Sequence, residues 1–379
     1  MIIHFTTVHG RRDIRILVKE AATLRRRLQR DVRLLVLDGL PEERDRDSDV
    51  LIQSVGARPS SRIIRMTRGC WRMYRAIRRA RPEVAHFHDP ELIPVGILLR
   101  MSGIKVVYDV HEDVPGAILS KQYIPKIARH PLSFVINLLE RIAAKFFSAI
   151  VAATPAIAER FSGPGTTVVQ NFPLLDEFAF AAARPMHERG SDFAYVGGLT
   201  AVRGTSEMVA AIALVKNPGS RLHLAGQFSP SQLQLQTERL PGWSRINFKG
   251  LATRTEVGSL LGSVRAGLVV FHPEPNHILA QPNKLFEYMA AGLPVIASDF
   301  PLWRDIVGTA GAGLLVDPSS PVAISEAMQW MLDHPAEAQI MGENGRAAVI
   351  NRFNWERESA ALITLYKSLL GDQEKGNLA

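Results

Sequence analysis

The sequence predicts an α/β protein made of two parallel-sheet halves, and three observations predict it. Short apolar runs alternate with longer amphipathic stretches, the pattern of strands joined by crossover helices. A second series of the same kind begins at "DFAYVGGL". The chain has 379 residues, long for one hydrophobic core. A hydrophobic fraction of 46% suits packed domains and excludes a disordered chain.

The elements follow in order. "MIIHFTTV" reads as a strand and "DIRILVKEAATLRRRLQ" as a helix. "VRLLVLDG" is a strand, followed by the polar loop "PEERDRDSD" and an arginine-rich helix. "EVAHFHD" and "KVVYDVHED" are strands that end in histidines and acids, where open α/β sheets present their ligand crevice. The helix around "PLSFVINLLERIAAKFF", the strand "SAIVAAT" and the helix "PAIAERF" complete the first half, roughly residues 1–171. After a strand at "TTVVQNFP", residues 172–184 read as a linker. The second half, 185–350, runs through "RLHLAGQ", "RINFKGL", "AGLVVFHP", "LPVIASD" and "GAGLLVDP". Residues 351–379 end in the helical "WERESAALITLYKSLL".

The formal charge of +8 has a local source. The segment from Arg62 to Arg81 holds eight arginines and no acid, so the rest of the chain is formally neutral. Arg62, Arg65, Arg68, Arg72, Arg75 and Arg79 make a cationic stripe, and Ile63, Met66, Cys70, Met73, Ile77 and Ala80 an apolar one. Such a helix either adsorbs to an anionic membrane or packs its apolar side on the sheet with the arginines in water. No known nucleic-acid-binding module accompanies the charge, which argues against nucleic acid as a partner. One cysteine allows no intrachain disulfide, and no apolar run reaches the roughly 18 residues that span a bilayer. With no signal-peptide pattern at "MIIHFTTVHG", the expectation is a soluble cytoplasmic protein, in reach of the inner membrane face.

Two stretches carry the chemistry. "YVGGLTAVRG" (195–204) is a strand, a glycine turn, an arginine and a glycine before a helix. That arrangement admits an anion close to the backbone, with Arg203 as a charge-assisted partner. "PNKLFEYMAAGLPVIAS" (282–298) starts a helix with Pro282 in its first turn and Asn283 or Gln281 as cap. Lys284 then lies at the positive helix end and Glu287 one turn on. A diphosphate–ribose clamp and a solvated Lys/Glu pair both fit this spacing.

"NKLFEYMAAGLPVIASDFPLWRDIV" resembles the nucleotide-sugar site of the retaining GT-B glycosyltransferases of family four. "YVGGLTAVRG", "VVYDVHEDVP", "VVQNFP" and "FNWERE" through "LYKSLL" extend the likeness over nearly the whole chain, in the same order. The resemblance implies two Rossmann-like domains facing across a cleft, with the last helix crossing back to the first domain. It implies transfer of a sugar, with retention and without a metal or other cofactor, from a nucleotide-sugar donor to a lipid-linked, polysaccharide or natural-product acceptor. By resemblance Glu287 grips the ribose, Arg203 and Lys284 the diphosphate, and His111 stands near the reacting sugar. Gly197 and Gly198 form the turn beneath the donor, and Gly250, Leu251, Asn283 and Leu285 complete the donor contacts.

Two positions depart from the family pattern. Leu279 stands where the first glutamate is expected and Gly198 where a first cation is expected. Lys284 is similar to a lysine of one branch and is the candidate to offset the missing cation; Glu274, Asn276 or His277, or else backbone amides, are the candidates to replace the missing carboxylate. His9, Asp13, Arg15, His88 and Glu112 are acceptor-side candidates, although capping by Asp13 explains part of that pattern. "DRDSD" (45–49) imitates a metal motif but reads as a charged turn. Of His86, His88 and Asp89, the two histidines point to one side of a strand with no third ligand evident at close spacing, so no metal is expected. A nucleotide-sugar epimerase of the same fold and a non-catalytic nucleotide-sugar-binding protein are the rival readings.

Overall fold

The computed structural model describes residues 1–120, 124–161 and 165–371. They form two compact units, one of residues 1–171 with 356–371, the other of residues 172–355.

The first unit is built on β1 (Ile2–Phe5), β2 (Val32–Val36), β3 (Glu43–Arg44), β4 (Leu51–Ser54), β5 (Val84–Phe87), β6 (Lys105–Val110), β7 (Ala149–Ala152) and β8 (Thr166–Val168). Their order is β3-β4-β2-β1-β5-β6-β7-β8, parallel except for β3 against β4. β1, flanked by β2 and β5, is buried on both faces, so "IIHF" reads as unbroken burial and not as alternation. Residues 14–28 are helical as expected, wound as a wide π-type helix over Ile14–Ala21 and an α-helix over Ala22–Leu28.

Part of the polar loop is not a loop. Glu43–Arg44 pairs with Leu51–Ser54, an edge hairpin that its charge concealed. Inside it Asp45 is buried and accepts from the backbone N–H and hydroxyl of Ser48, which makes "DRDSD" a closed turn. The arginine segment is helical from Arg62 to Ala80, with Cys70, Met73 and Ile77 in the core. The helix Trp355–Leu370 belongs with this unit from residue 356: Tyr366 is buried and its hydroxyl lies 2.8 Å from His86 Nδ1. Residues 372–379 of the expected terminal segment lie outside the described residues.

The second unit has a parallel sheet of β9 (Phe193–Val196), β10 (Leu222–Ala225), β11 (Ile246–Gly250), β12 (Ala266–Val269), β13 (Val295–Ser298) and β14 (Gly313–Val316). The order is β11-β10-β9-β12-β13-β14, so it reverses between β9 and β12, the place where open α/β sheets hold ligands. Residues 172–184, read as a linker, are part of this unit. Phe172, Phe178 and Ala181 are buried in its core, and Phe172 packs edge-on to Phe286 and Phe353.

Candidate functional site

At the sheet reversal, β9 ends in Tyr195-Val196 and the chain turns through Gly197 and Gly198. Gly197 has φ +125°, a conformation that side chains rarely adopt, and a Cβ there would lie 2.8 Å from Lys284 Nζ. Gly204 (φ +70°) starts the helix Thr205–Leu214 against the carbonyl of Val270, where a Cβ would come within 2.2 Å. The turn is thus shaped to let side chains from elsewhere reach its backbone.

Those side chains are cations. Lys284 is buried, in the first turn of the helix Asn283–Ala290. Its ammonium donates to Tyr195 Oη at 2.9 Å, and that hydroxyl donates to the Gly198 carbonyl at 2.9 Å. The ammonium also sits over the rings of Tyr195 (4.3 Å) and Phe271 (4.9 Å). Arg203 is half-buried over the same Phe271 ring at 5.5 Å, with Nη1 3.4 Å from the Gly198 carbonyl. A Cβ on Gly198 would lie 2.8 Å from that guanidinium, so the missing cation at 198 leaves the space that Arg203 fills. Among the described residues neither Lys284 nor Arg203 has a carboxylate within ion-pair distance. Burial, and then the neighbouring Arg203 charge, push the Lys284 pKa well below that of an ordinary lysine. Two positive groups on one aromatic ring, beside a helix start, make a place for an anion.

The helix start departs from its expected cap. Pro282 is the N-cap residue, and neither Asn283 nor Gln281 makes a side-chain cap bond. No side chain closes this end, which leaves its amides to a ligand or water. Glu287 faces the site one turn later but is not unpartnered. Its Oε1 accepts from Arg254 Nη2 at 2.9 Å, and Arg254 Nε binds Glu177 at 2.5 Å. Leu285, proposed as a donor contact, is fully buried and serves the core; Gly250 (φ +65°) and exposed Leu251 lie at the end of β11. Of the substitutes for the glutamate missing at exposed Leu279, His277 lies beside the cation-bearing ring. It is buried on Phe271, with Nδ1 3.1 Å from the His272 carbonyl. Glu274 precedes and Asn276 lies within the short helix Pro275–Ile278.

The first unit gathers a second cluster, also at strand ends. Asp109, on β6, is fully buried and takes a bidentate pair from Arg15 (3.0 and 2.7 Å). The same carboxylate lies 3.0 Å from His88 Nδ1 and 2.5 Å from His111 Nε2. Burial opposes ionisation of Asp109, but Arg15 and His111 overcome it and hold the pKa far below the usual range. Glu20 lies 3.0 Å from Arg15; burial and the Asp109 charge push its pKa well above the usual value. Burial also holds His4 and His86 neutral and takes His88 down to about 4.

His4, Glu20, His86 and His88 bring ligand-type atoms within 4.8 Å of one another, a set that the strand spacing alone did not show. Within the cluster the Arg15 guanidinium and the Asp109 carboxylate offset each other's charge.

Two acceptor-side candidates are corrected here. Arg15 is spent on Asp109 and the Val169 carbonyl, and His88 is buried between His4 and Asp109. His111, His9 and Asp13 remain half-buried and Glu112 is exposed. His9 Nδ1 lies 2.9 Å from Asp13, which also caps the Ile14–Ala21 helix through the Ile16 N–H. Burial would lower the His9 pKa, but Asp13 and Asp89 outweigh it and raise it; Asp13 in turn falls to about 2. Asp89 ties down the loop after β1 by accepting from Thr6 Oγ1 and the Thr7 N–H.

Sequence reasoning missed Asp109, Arg254, Tyr195 and Phe271. Asp109 had a signal, since it sits two residues before His111 on the same side of the strand. The other three matter through contacts that no local spacing reveals.

Comparison with known proteins adds to this geometry. Residues 178–348 match the family described as Glycosyl transferases group 1, and residues 15–169 match the Glycosyl transferase 4-like domain. Glycogen synthase of Mycobacterium tuberculosis is 25% identical over 293 residues, 76% of this chain and 69% of that one. Sucrose-phosphate synthase from Thermosynechococcus elongatus superposes with a TM-score of 0.78 over 98% of this chain and 99% of its own, at 19% identity. Anabaena Alr3699/HepE, crystallised with UDP and glucose, gives 0.72 over 97% and 99% at 14% identity. These two structural likenesses concern the fold.

Proposed function

The chain belongs to the group 1 glycosyltransferases and folds as a GT-B protein, and on that premise we propose that it transfers a sugar from a nucleotide-sugar donor with retention. The observation that carries the proposal is Lys284, a buried ammonium at an uncapped helix start, held with Arg203 on Phe271 and lacking a carboxylate among the described residues. A donor diphosphate supplies the missing negative charge. Glu287, steadied by Arg254, accepts from the ribose hydroxyls.

In the proposed reaction the bond from the anomeric carbon to the diphosphate oxygen breaks as the acceptor oxygen bonds to the same face. The acceptor proton passes to the departing phosphate. Arg203, Lys284 and the helix N-terminus stabilise the charge that grows on the diphosphate, the part a divalent metal plays elsewhere. His111 is assigned to the sugar on the family resemblance. The acceptor is proposed to be lipid-linked, polysaccharide or natural-product in kind, at the cytoplasmic face of a membrane. The arginines of residues 62–81 are the first support for that location.

The test is nucleoside-diphosphate release from a donor panel led by UDP-glucose, with membrane extract as acceptor. The UDP-bound neighbour motivates that first choice. Wild type should turn over, and Glu287→Ala should raise the donor KM by about 10–100-fold through the lost charge-assisted bond. Tight donor binding without turnover on any extract would favour the binding-protein reading, and an inverted anomeric product would overturn retention.

A further inference from the structure

The helix Lys126–Ala144 is unusual for what it leaves in water. Ile127 is 90% exposed, Phe134 68% and Leu139 56%, and Leu132, Val135, Leu138 and Ile142 are exposed as well. They recur at three- and four-residue spacing and cover one broad face, which Phe146 extends just past the helix end. The opposite side holds the helix to the unit. Glu140 accepts from Tyr108 Oη at 2.9 Å and pairs with Arg160, while Ala143 is buried. Single exposed apolar residues are ordinary; a contiguous face of this size marks an interaction surface.

Charge identifies the occupant. Moving along the sheet from β4 to β7, the helices Cys70–Ala80, Ile93–Met101 and Lys126–Ala144 lie side by side in one layer, the middle one touching both others. Leu98 and Met101 continue the apolar surface, while Ile63, Met66 and Trp71 stand exposed among the arginines. The one acid in residues 62–81, 93–101 and 126–144 is Glu140, which is buried. Lys126, Arg141 and Lys145 border the apolar face. A second copy docked on this layer would oppose one arginine-rich surface to another, a like-charge contact. An anionic bilayer takes both parts, apolar side chains among the acyl chains and cations at the headgroups. No described helix is long and apolar enough to cross a membrane, which fits a face that lies in the interface.

We propose that the Lys126–Ala144 helix inserts its apolar face into an anionic lipid surface, with the arginine helix as its electrostatic flank. The inserting element is thus a helix whose apolar face is free, whereas the arginine helix spends Cys70, Met73 and Ile77 on the core and Arg65 on Glu91. The proposal stands on exposure and charge, so it is tested without donor or acceptor and survives or fails independently of the assigned chemistry.

The experiment is co-sedimentation of the full chain with vesicles of phosphatidylglycerol and phosphatidylcholine, against phosphatidylcholine alone. Wild type should bind the anionic vesicles and lose affinity as salt rises. Phe134→Ser/Leu138→Ser/Ile142→Ser should bind about a hundredfold more weakly, roughly fivefold per side chain withdrawn from lipid, with unchanged circular dichroism and thermal unfolding. Because the single cysteine, Cys70, is buried, an environment-sensitive dye on Leu138→Cys reports insertion directly and should shift to the blue on binding. Vesicle binding by the triple variant equal to wild type overturns the proposal. So does a wild-type dimer in light scattering that the triple variant converts to monomer, since the face would then belong to a second copy.

Discussion

Replacing Lys284 with methionine should raise the stability of the protein while weakening donor binding, and the opposite signs are the point. In the structure the ammonium is buried, has one neutral hydroxyl as hydrogen-bond partner and faces another cation, Arg203. An effective desolvation penalty of several kcal/mol is offset by two ring contacts at about 0.5–2 kcal/mol each and a hydrogen bond of about 1 kcal/mol. Methionine fills similar space without the penalty. A net gain of about 1–2 kcal/mol follows, which for a unit of residues 172–355 is a rise of roughly 2–8 °C in Tm. The linkage has a definite sign. Because the folded pKa is depressed, the unfolded chain binds more protons between the folded pKa and about 10.4, and wild-type stability climbs with pH across that window. The variant should lack this slope. Against the diphosphate, loss of a charge-assisted contact of about 1.5–3 kcal/mol weakens donor binding roughly 10–150-fold. Calorimetric unfolding from pH 6 to 10 and donor titration read both effects. A variant that is less stable than wild type and binds donor as well would refute the reasoning.

Other perturbations separate the ligand site from the buried cluster. Asp109→Asn should cost about 3 kcal/mol by chemical denaturation, the low end for a broken buried pair, since Glu20 lies 3.0 Å from Arg15 and can ionise in its place. Glu20→Gln alone should leave stability at pH 8 equal or improved. The folded pKa of Glu20 is raised, so wild type loses stability as pH climbs from about 4.3 through the folded value, and the glutamine variant should lose that slope. The Asp109→Asn/Glu20→Gln double variant should then be destabilised by more than the sum of the two, as a double-mutant cycle would show. Gly197→Ala forces φ +125° on an alanine and sets its methyl 2.8 Å from Lys284 Nζ. Thermal unfolding should report a loss of about 1–3 kcal/mol, together with weaker donor binding.

Elements with a strong period and full burial were legible: every strand of the second sheet lies where an apolar run predicted it. The edge hairpin Glu43–Arg44 with Leu51–Ser54 was not, because one strand is a charged pair of residues, the other is only four residues long, and the pairing is fixed by the closed Asp45–Ser48 turn. Residues 172–184 misled for another reason. "FPLLDEFAFAAARP" has neither period over enough length, and its role depends on tertiary contacts such as Phe172 on Phe286, over a hundred residues away in sequence. For the site, Lys284, Glu287 and Arg203 could be named from spacing and resemblance. That Arg254 would hold Glu287 and that Phe271 would carry both cations could not, because those contacts are made by the fold.

The two units treat charge in opposite ways, and the contrast separates residues that answer to a ligand from residues that answer to the fold. In the first unit Arg15 finds Asp109, burial keeps His4 and His86 neutral and the Glu20 pKa is raised, so the charges of this cluster are matched internally. Substitutions there should register as stability before they register as chemistry. In the second unit Arg203 and Lys284 meet on one ring beside two glycines, while the nearby carboxylate, Glu287, is held by Arg254. The turn at Gly197–Gly198 therefore stays positive, at a cost in stability that an incoming anion relieves. That imbalance, more than any single motif, is why the proposed donor is assigned there: a diphosphate would complete an electrostatic arrangement that the fold leaves open.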